Sequence, residues 1–256
     1  MRIIRKPSVY LVGRQEVVQE EIDRFLGDYT ATWATDTEKG SEILCEAAGR
    51  VCYMSFGKGR KSNKEYLGHI LESGHGSVLE HAAWNFVVTG VSRSFTHELI
   101  RHRAGFGYSQ LSQRYVNEGD ADYIEPDCIA DDPALHQVWL KAVETAQESY
   151  NQLAEALEKK FENVEEKTLR RKLARQAARS VLPNATETKI FVTANARALR
   201  HFIELRGSEH ADVEIRTVAV EILRIMQKES PNIFGDFQLL QLPDGTYATS
   251  TNYRKV

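Results

Sequence analysis

The most constraining feature of the sequence is that its apolar side chains change period along the chain. Helical spacing, with apolar residues three and four apart, predicts four helices: residues 40–52, 62–73, 92–103 and about 211–228. Short apolar or alternating stretches predict three strands: residues 8–12, 83–89 and 186–194. The two kinds of segment are interspersed without a regular strand–helix–strand rhythm. This pattern predicts an α+β fold in which helices flank a mixed sheet.

A long helical hairpin is predicted from about residue 132 to residue 182, where two amphipathic helices follow one another. Pro133 suits the first turn of the first helix, and Pro183 marks the end of the second. The sequence contains no internal repeat and no low-complexity linker. The hairpin is therefore interpreted as a packed layer, and residues 1–256 as a single domain.

Three shorter signals mark turns and helix ends. Ser62 and Asn195 are suitable N-caps, the second for a helix that runs to about Leu205. The Gly-His-Gly sequence at 74–76 predicts an ordered turn, and the glycines within 105–108 predict a loop.

Composition limits the class of protein. With 42% hydrophobic and 27% charged residues, the chain has the make-up of a soluble globular protein. A net charge of −3 argues against a strongly basic nucleic-acid-binding protein, and no apolar run is long enough to predict a membrane span. The three cysteines, Cys45, Cys52 and Cys128, are odd in number and lack CxxC spacing. They predict a reducing, cytoplasmic setting without a disulfide framework or a cysteine zinc site.

The densest group of functional side chains is the segment Arg101–Tyr115. It holds three arginines, one histidine and two serines within 15 residues, with glycines in the middle. Guanidinium groups suit phosphates and the carbonyl oxygens of planar rings, and glycines let the backbone approach a ligand closely. The segment therefore indicates a site for an anionic, ring-bearing ligand. A solvated basic helix end, stabilised by the helix dipole, explains the same composition and stays open.

A second cluster follows Asn195. Arg197 and His201 are four residues apart and share one helical face, whereas the Arg200 and Glu204 spacing predicts a surface ion pair. Arg179 lies on a predicted helix with three other arginines and, taken alone, is interpreted as solvated.

Taken together, these segments resemble the flavin-dependent thymidylate synthase family over most of residues 40–225. The Arg-His-Arg triplet at 101–103 followed by Ser112-Gln113-Arg114-Tyr115 is similar to the signature of that family. The supporting segments also come in the family's order: the turn at 74–76 with Glu80-His81, Arg179-Ser180-Val181-Leu182-Pro183, Asn195-Ala196-Arg197, and Leu205-Arg206 followed by His210 and Glu214.

The chain departs from the family pattern in three places. Eight residues instead of the usual seven separate the triplet from Ser112, and Ser109-Gln110 replaces the usual Asn-Glu. Glu98 stands where some members have glutamine. A glutamine keeps a carbonyl acceptor but lacks the carboxylate charge, so these changes bear on substrate choice more than on reaction class.

The resemblance implies an enzyme that methylates C5 of dUMP to dTMP with FAD, methylenetetrahydrofolate as carbon donor and NADPH as reductant. It also implies a homotetramer whose active sites are shared between subunits. A UMP/dUMP methylase of a nucleoside-antibiotic pathway has the same chemistry and remains the alternative within the family. Outside the family, the alternative is a metal-dependent hydrolase, but the histidines lack HExxH-type ligand spacing, so no metal site is predicted.

The resemblance also assigns residue roles. Cofactor binding is expected at Ser77, Arg101, His102, Arg103, Gln110, Asn195, Arg197 and His201. Substrate binding is expected at Glu98, Arg101, Gln110, Leu111, Ser112, Arg114, Arg179 and Arg206. Catalysis is expected from Arg206, whose positive charge would lie against the uracil carbonyl edge, and from His75, which would position groups or handle a proton.

No protein nucleophile is expected. Ser112 has no evident His–Asp relay in the sequence, and a bare serine is a poor nucleophile near neutral pH. Cys128 follows Asp127 and lies outside the motifs, so it is interpreted as structural or incidental. The flavin is therefore expected to supply the hydride and to carry the one-carbon unit.

Overall fold

The computed structural model of the chain describes residues 1–254 and confirms the α+β fold. The helices are α1 (Gln19–Asp28), α2 (Gly40–Tyr53), α3 (Asn63–Glu72), α4 (Arg93–Leu99), α5 (Asp127–Ala130), α6 (Pro133–Lys160), α7 (Lys167–Ala178), α8 (Ala196–Arg206), α9 (Val213–Glu229) and α10 (Pro231–Phe234). The strands are β1 (Ile3–Ile4), β2 (Ser8–Arg14), β3 (Ala83–Ser92), β4 (Phe106–Gln110), β5 (Tyr123–Ile124), β6 (Glu187–Asn195), β7 (Gln238–Gln241) and β8 (Tyr247–Ser250). Short 3₁₀ helices span Gly76–His81 and Arg179–Val181. None of the helices within residues 1–254 is both long and apolar enough to cross a bilayer.

The described chain divides into two compact units. The first unit contains Met1–Ser8, Val88–Ile100 and Ser109–Ile190. The second unit contains Val9–Val87, Arg101–Tyr108 and Phe191–Val256, of which residues 255 and 256 lie outside the described part. The single domain expected over residues 1–256 stays a prediction.

The second unit is built on a four-stranded sheet in the order β2-β3-β6-β4, to which each strand contributes residues. One face of this sheet is apolar: Trp84 and Phe86 of β3 and Val192 and Ala194 of β6 are buried, as the alternating pattern predicts. The Trp84 ring meets the edge of the Phe234 ring of α10, with centroids 5.9 Å apart. Each large apolar side chain buried in this way stabilises the fold by about 1.5–3 kcal/mol.

The first unit contains the predicted helical hairpin, formed by α6 and α7. Pro133 occupies the first turn of α6, and Asp132 caps that helix by accepting from the backbone N–H groups of Ala134 and Leu135 at 2.8 and 3.2 Å. The buried Gln147 of α6 accepts from the Tyr123 hydroxyl at 3.0 Å. This bond ties α6 to β5, which pairs in parallel with β1.

The region around the arginine-rich segment differs from the prediction. The helix expected at 92–103 ends at Leu99, so the Arg-His-Arg triplet follows α4 instead of finishing it. The loop expected at 105–108 is wrong, because residues from Phe106 onward form β4. Strand β4 is next to β6 in the sheet order. Because β6 lies about 80 residues further along the chain, this pairing could not be recognised from the local, glycine-containing sequence of β4.

Candidate active site

The turn that follows the Arg-His-Arg triplet packs against the start of α8. Gly105 has a φ of +73°, and a Cβ at this position would lie 2.8 Å from Ala198 and from the Asn195 amide. The Gly105 carbonyl accepts from the Asn195 backbone N–H at 3.1 Å. Asn195 caps α8 as predicted, since its Oδ1 accepts from the Ala198 N–H at 2.9 Å.

His102, the central residue of the triplet, is buried and contacts the expected catalytic arginine. Its side chain is 8% exposed, and its Nε2 accepts from Arg206 Nε at 3.0 Å. The imidazole packs against the rings of Phe106 and Phe202, with centroids 5.9 and 5.2 Å away. Burial, reinforced by the charges of Arg206 and His201, lowers the pKa of His102 from 6.5 to about 4. His102 is therefore neutral near pH 7 and presents Nε2 as an acceptor.

A cleft of about 340 Å³ in the second unit is lined by two of the expected ligand-binding residues and by His75. Ser77 and Arg197 share it with His75, and all three side chains are exposed. Arg197 Nη1 contacts Glu80 Oε1 at 2.6 Å, with each side chain about half exposed. Such an exposed ion pair contributes about 0–1 kcal/mol, so an anionic ligand can displace Glu80 from Arg197 at little cost.

The first unit contains two arginines that lack full hydrogen bonding. Arg93 Nη1 and Arg114 Nε are buried without a hydrogen-bond partner among residues 1–254. The pKa of Arg93 is lowered, first by burial and also by the positive charge of Arg179, against the opposing effect of Glu118. Burial raises the pKa of Glu118 in turn, which weakens it as a counter-charge. A buried guanidinium that has both an unused donor and a positive neighbour, as Arg93 has, indicates a site that an anion completes.

The residues between β4 and Arg114 form a turn. The Ser112 carbonyl accepts from the N–H groups of Tyr115 and Val116 at 3.2 and 3.0 Å. The Ser112 hydroxyl accepts from the Arg114 backbone N–H at 3.4 Å, a long contact that leaves it available to a substrate. Leu111 is half-buried and its N–H donates to Lys189 O at 2.9 Å.

Gln110 is held by two threonines. Its Nε2 donates to Thr96 Oγ1 at 3.2 Å and to Thr188 Oγ1 at 3.3 Å. The Thr96 hydroxyl donates its own proton to the Arg93 carbonyl at 2.9 Å, so toward Gln110 it is an acceptor. This fixes the amide with Nε2 on the threonines and turns Oε1 away from them.

The expected site residues fall in both units. The second unit holds His75, Ser77, Arg101, His102, Arg103, Asn195, Arg197, His201 and Arg206, and the first holds Glu98, Gln110, Leu111, Ser112, Arg114 and Arg179. His102, His201 and Arg206 form one group, and His75, Ser77 and Arg197 line one cleft. Arg101 and Arg103 are exposed, while Glu98 and Arg179 are half-buried. The ligand roles of all these residues stay predictions.

One sequence interpretation about α8 is wrong. Arg200 is 2% exposed and contacts Asp236 at 2.6 Å, so it is not part of the surface ion pair expected with Glu204. Helical spacing relates residues three or four apart, so it could not indicate a pair with Asp236, 36 residues further along the chain. Arg200 therefore belongs to the buried structure of α8 and not to its ligand face.

Sequence reasoning missed three residues of these sites. Cys52 and Tyr53 at the end of α2 line the cleft with His75, and Arg93 begins α4. No sequence motif marks Cys52 and Tyr53 at the end of α2 as site residues. The one available signal for Arg93 was its position directly after Ser92, which caps α4 by accepting from the Phe95 N–H at 3.1 Å.

The donors in the second unit fit a flavin dinucleotide. The exposed guanidinium groups of Arg101, Arg103 and Arg197 are suited to a diphosphate, and Ser77 adds a hydroxyl in the cleft. The Asn195 cap engages Oδ1, so a ligand would meet its Nδ2. These are the residues that would hold FAD.

Comparison with known proteins supports the family resemblance over most of the chain. The family model described as thymidylate synthase complementing protein matches residues 34–232. A Mycobacterium avium protein named flavin-dependent thymidylate synthase is 52% identical over 225 residues, covering 87% of this chain and 89% of the relative. A Corynebacterium efficiens protein of the same name is 49% identical over 227 residues, covering 88% and 90%.

A solved structure shares the fold. The UMP/dUMP methylase PolB from Streptomyces cacaoi, bound with 5-Br dUMP, aligns with a TM-score of 0.68, covering 92% of this chain and 96% of that one. At 21% sequence identity this likeness shows the fold alone. The match to residues 34–232 and the relatives about half identical to it show that the chain belongs to the thymidylate synthase complementing protein family, that of the flavin-dependent thymidylate synthases.

Proposed function

We propose that the protein methylates C5 of dUMP to form dTMP, with methylenetetrahydrofolate as carbon donor, NADPH as reductant and FAD as cofactor. No protein nucleophile takes part. Membership of the family supports this activity over the metal-dependent hydrolase and the nucleic-acid-binding protein. UMP remains the competing substrate, because the structural neighbour that shares the fold is named a UMP/dUMP methylase.

The observation that carries the proposal is the arginine group of the first unit. Arg93 and Arg179 are close enough for their charges to repel, and Arg93 keeps a buried donor that no residue among 1–254 accepts. Like charges are brought together at a cost that a bound anion offsets. The 5′-phosphate of a nucleotide is such an anion, and each charge-assisted contact contributes about 1.5–3 kcal/mol.

Arg206 acts on the uracil ring. Its guanidinium carries a charge at all working pH values and would donate to a ring carbonyl as negative charge develops on the ring. One preorganised donor of this kind contributes about 3–4 kcal/mol to the transition state. His75, exposed at the cleft, positions groups or handles a proton.

The remaining site residues hold the cofactor and the nucleotide. FAD is bound by Ser77, Arg101, His102, Arg103, Gln110, Asn195, Arg197 and His201. The nucleotide is bound by Glu98, Arg101, Gln110, Leu111, Ser112, Arg114, Arg179 and Arg206. When bound, FAD supplies the hydride and relays the one-carbon unit.

Of the three cysteines, Cys45 is excluded as a nucleophile by its burial. Cys45 is 0% exposed, and burial raises the pKa of its thiol to about 12, so it is not a thiolate at neutral pH. Cys128 is exposed on α5 in the first unit and Cys52 is exposed at the cleft. The Ser112 hydroxyl contacts a backbone N–H, which does not activate it as a base would.

We also propose that the working form is a cytoplasmic homotetramer whose active sites combine residues of several subunits. The family resemblance of the sequence supports this assembly. Light scattering of the purified, flavin-loaded protein measures it directly, and a monomer that turns over dUMP would contradict it.

The activity is tested by anaerobic turnover with FAD, NADPH, methylenetetrahydrofolate and either dUMP or UMP. We expect a methylated nucleotide and tetrahydrofolate, with dUMP used at least as well as UMP. Omitting methylenetetrahydrofolate is the control and should leave the nucleotide unchanged. Absence of product with both nucleotides would overturn the substrate assignment.

A further inference from the structure

We propose that His102 is a positioning residue that fixes the guanidinium of Arg206 for catalysis, through the hydrogen bond from Arg206 Nε to His102 Nε2. This inference rests on the proposed function, in which Arg206 acts on the uracil ring. It gives the central histidine of the triplet a role distinct from flavin binding.

The geometry supports a directional contact. The two nitrogens are 3.0 Å apart, within the normal range for an N–H donor, and His102 is 8% exposed. An arginine always donates, so His102 Nε2 must accept, and the ring proton must then lie on Nδ1. The remaining N–H groups of the guanidinium are on Nη1 and Nη2, and the bond at Nε sets the plane in which they point.

The imidazole is held by ring packing, and the backbone of the same residue by a hydrogen bond. Phe106 and Phe202 pack on its ring, and Tyr108 donates from its hydroxyl to the His102 carbonyl at 2.5 Å. A bond to an immobile acceptor restricts the rotamers of the flexible Arg206 side chain. The acceptor therefore preorganises the charge before the substrate is bound.

The charged neighbours keep the acceptor available. Arg206 and His201, both on α8, are the charged or titratable side chains that lower the pKa of His102, and Tyr108 on β4 meets its carbonyl. A protonated His102 would have to place a positive N–H against Arg206 Nε. The pair is therefore compatible with neutral histidine alone.

A purely structural role for His102 would be to fill space between two phenylalanine rings. The variants His102→Phe and His102→Gln separate the two roles. Phenylalanine preserves the ring packing and removes the acceptor. Glutamine places an amide oxygen near the position of Nε2 but loses the ring packing. The exposed His97 of α4 provides the matched control, His97→Phe.

We expect kcat for dUMP to fall about 100-fold in His102→Phe, the scale of a misplaced catalytic group. The His102→Gln variant should recover at least ten-fold of that loss, while the dUMP dissociation constant in both changes less than about three-fold. His97→Phe should match the wild type. A space-filling role predicts the reverse order, with phenylalanine active and glutamine impaired, and that order would overturn the proposal.

A second measurement needs no turnover. Histidine ¹⁵N NMR of the unliganded protein, with the His102 signal assigned from its loss in His102→Gln, should show a neutral Nδ1–H tautomer down to pH 5.5. The variant Arg206→Met should remove the acceptor signature and raise the His102 pKa. The proposal would be overturned if wild-type His102 were protonated at pH 5.5, or if its signal were the same in Arg206→Met as in the wild type.

The two failures are distinguishable. If wild-type protein methylates neither nucleotide, the proposed function fails regardless of His102. If wild-type protein is active and His102→Phe binds FAD and dUMP with unchanged kcat, the function stands and the positioning role fails.

Discussion

At the scale of single residues, the buried arginines differ in whether a carboxylate neutralises them. Arg50 contacts Glu46 at 2.7 Å, and Arg200 contacts Asp236 at 2.6 Å, so a carboxylate neutralises both inside the second unit. Arg200 Nε and Arg93 Nη1 are both buried without a partner among residues 1–254, but Arg93 also feels the positive charge of Arg179. The first pattern is structural, and the second is typical of a site that binds an anion.

The first prediction concerns Arg93. Replacing it with methionine removes one charge-assisted contact of about 1.5–3 kcal/mol, so the dissociation constant for dUMP should rise about 10- to 150-fold. Isothermal titration of the flavin-loaded protein measures this change. The exposed Arg171 of α7 provides the control, Arg171→Met, which should bind dUMP like the wild type. Equal binding by Arg93→Met and the control would remove Arg93 from the phosphate site.

The sequence indicated many of the site's residues but not their states. The triplet, Ser112, Arg114 and Arg206 follow from ordered motifs. The neutral state of His102 depends on burial by Phe106 and Phe202, which are brought there by folding. Arg93 is not part of any sequence motif, so its proposed role could be inferred only from its neighbours in the folded protein.

At the scale of elements, local sequence signals located the helix caps, whereas the helix α1 and several short strands were missed. The predicted cap at Ser62 is confirmed, since its side chain accepts from the Glu65 N–H, and so is the cap at Asn195. Capping acts over three residues and is visible in sequence. Strand β4 and the hairpin of β7 and β8 were missed, because strand stability comes mainly from pairing and packing with other strands.

The second prediction concerns the turn that docks the triplet on α8. Gly105→Ala should lower the free energy of unfolding by about 1–2 kcal/mol for the left-handed backbone, plus the cost of a Cβ 2.8 Å from Ala198. Gly59 has a similar φ of +75° with nothing within 4 Å of the added Cβ, so Gly59→Ala isolates the backbone cost. Urea denaturation measures both variants. Equal destabilisation would show that the contact with α8 is not tight.

At the scale of the whole molecule, acid should unfold the protein partly through His102. Its pKa is about 4 in the folded state and about 6.5 when unfolded, so between these values the unfolded chain binds the proton and the folded chain does not. Stability is therefore lost as pH falls from about 6.5 towards 4. Between pH 7 and pH 5 the loss attributable to this group is about 2 kcal/mol.

The third prediction tests this loss of stability at low pH. The free energy of unfolding, measured by urea denaturation at pH 7 and at pH 5, should fall more in the wild type than in His102→Gln, by about 2 kcal/mol. The exposed His97 serves as the matched control, and His97→Gln should fall as much as the wild type. Parallel losses in the wild type and His102→Gln would mean that His102 titrates normally in the folded protein.

The most direct test of the central claim, methylation without a protein nucleophile, is dTMP formation by a variant that carries Cys45→Ala, Cys52→Ala and Cys128→Ala. Anaerobic reactions with FAD, NADPH, methylenetetrahydrofolate and dUMP are followed by mass spectrometry, with flavin absorbance as the control for a loaded, folded protein. We expect dTMP at a rate within about three-fold of the wild type. An active wild type beside a flavin-loaded variant that forms no dTMP would contradict the account.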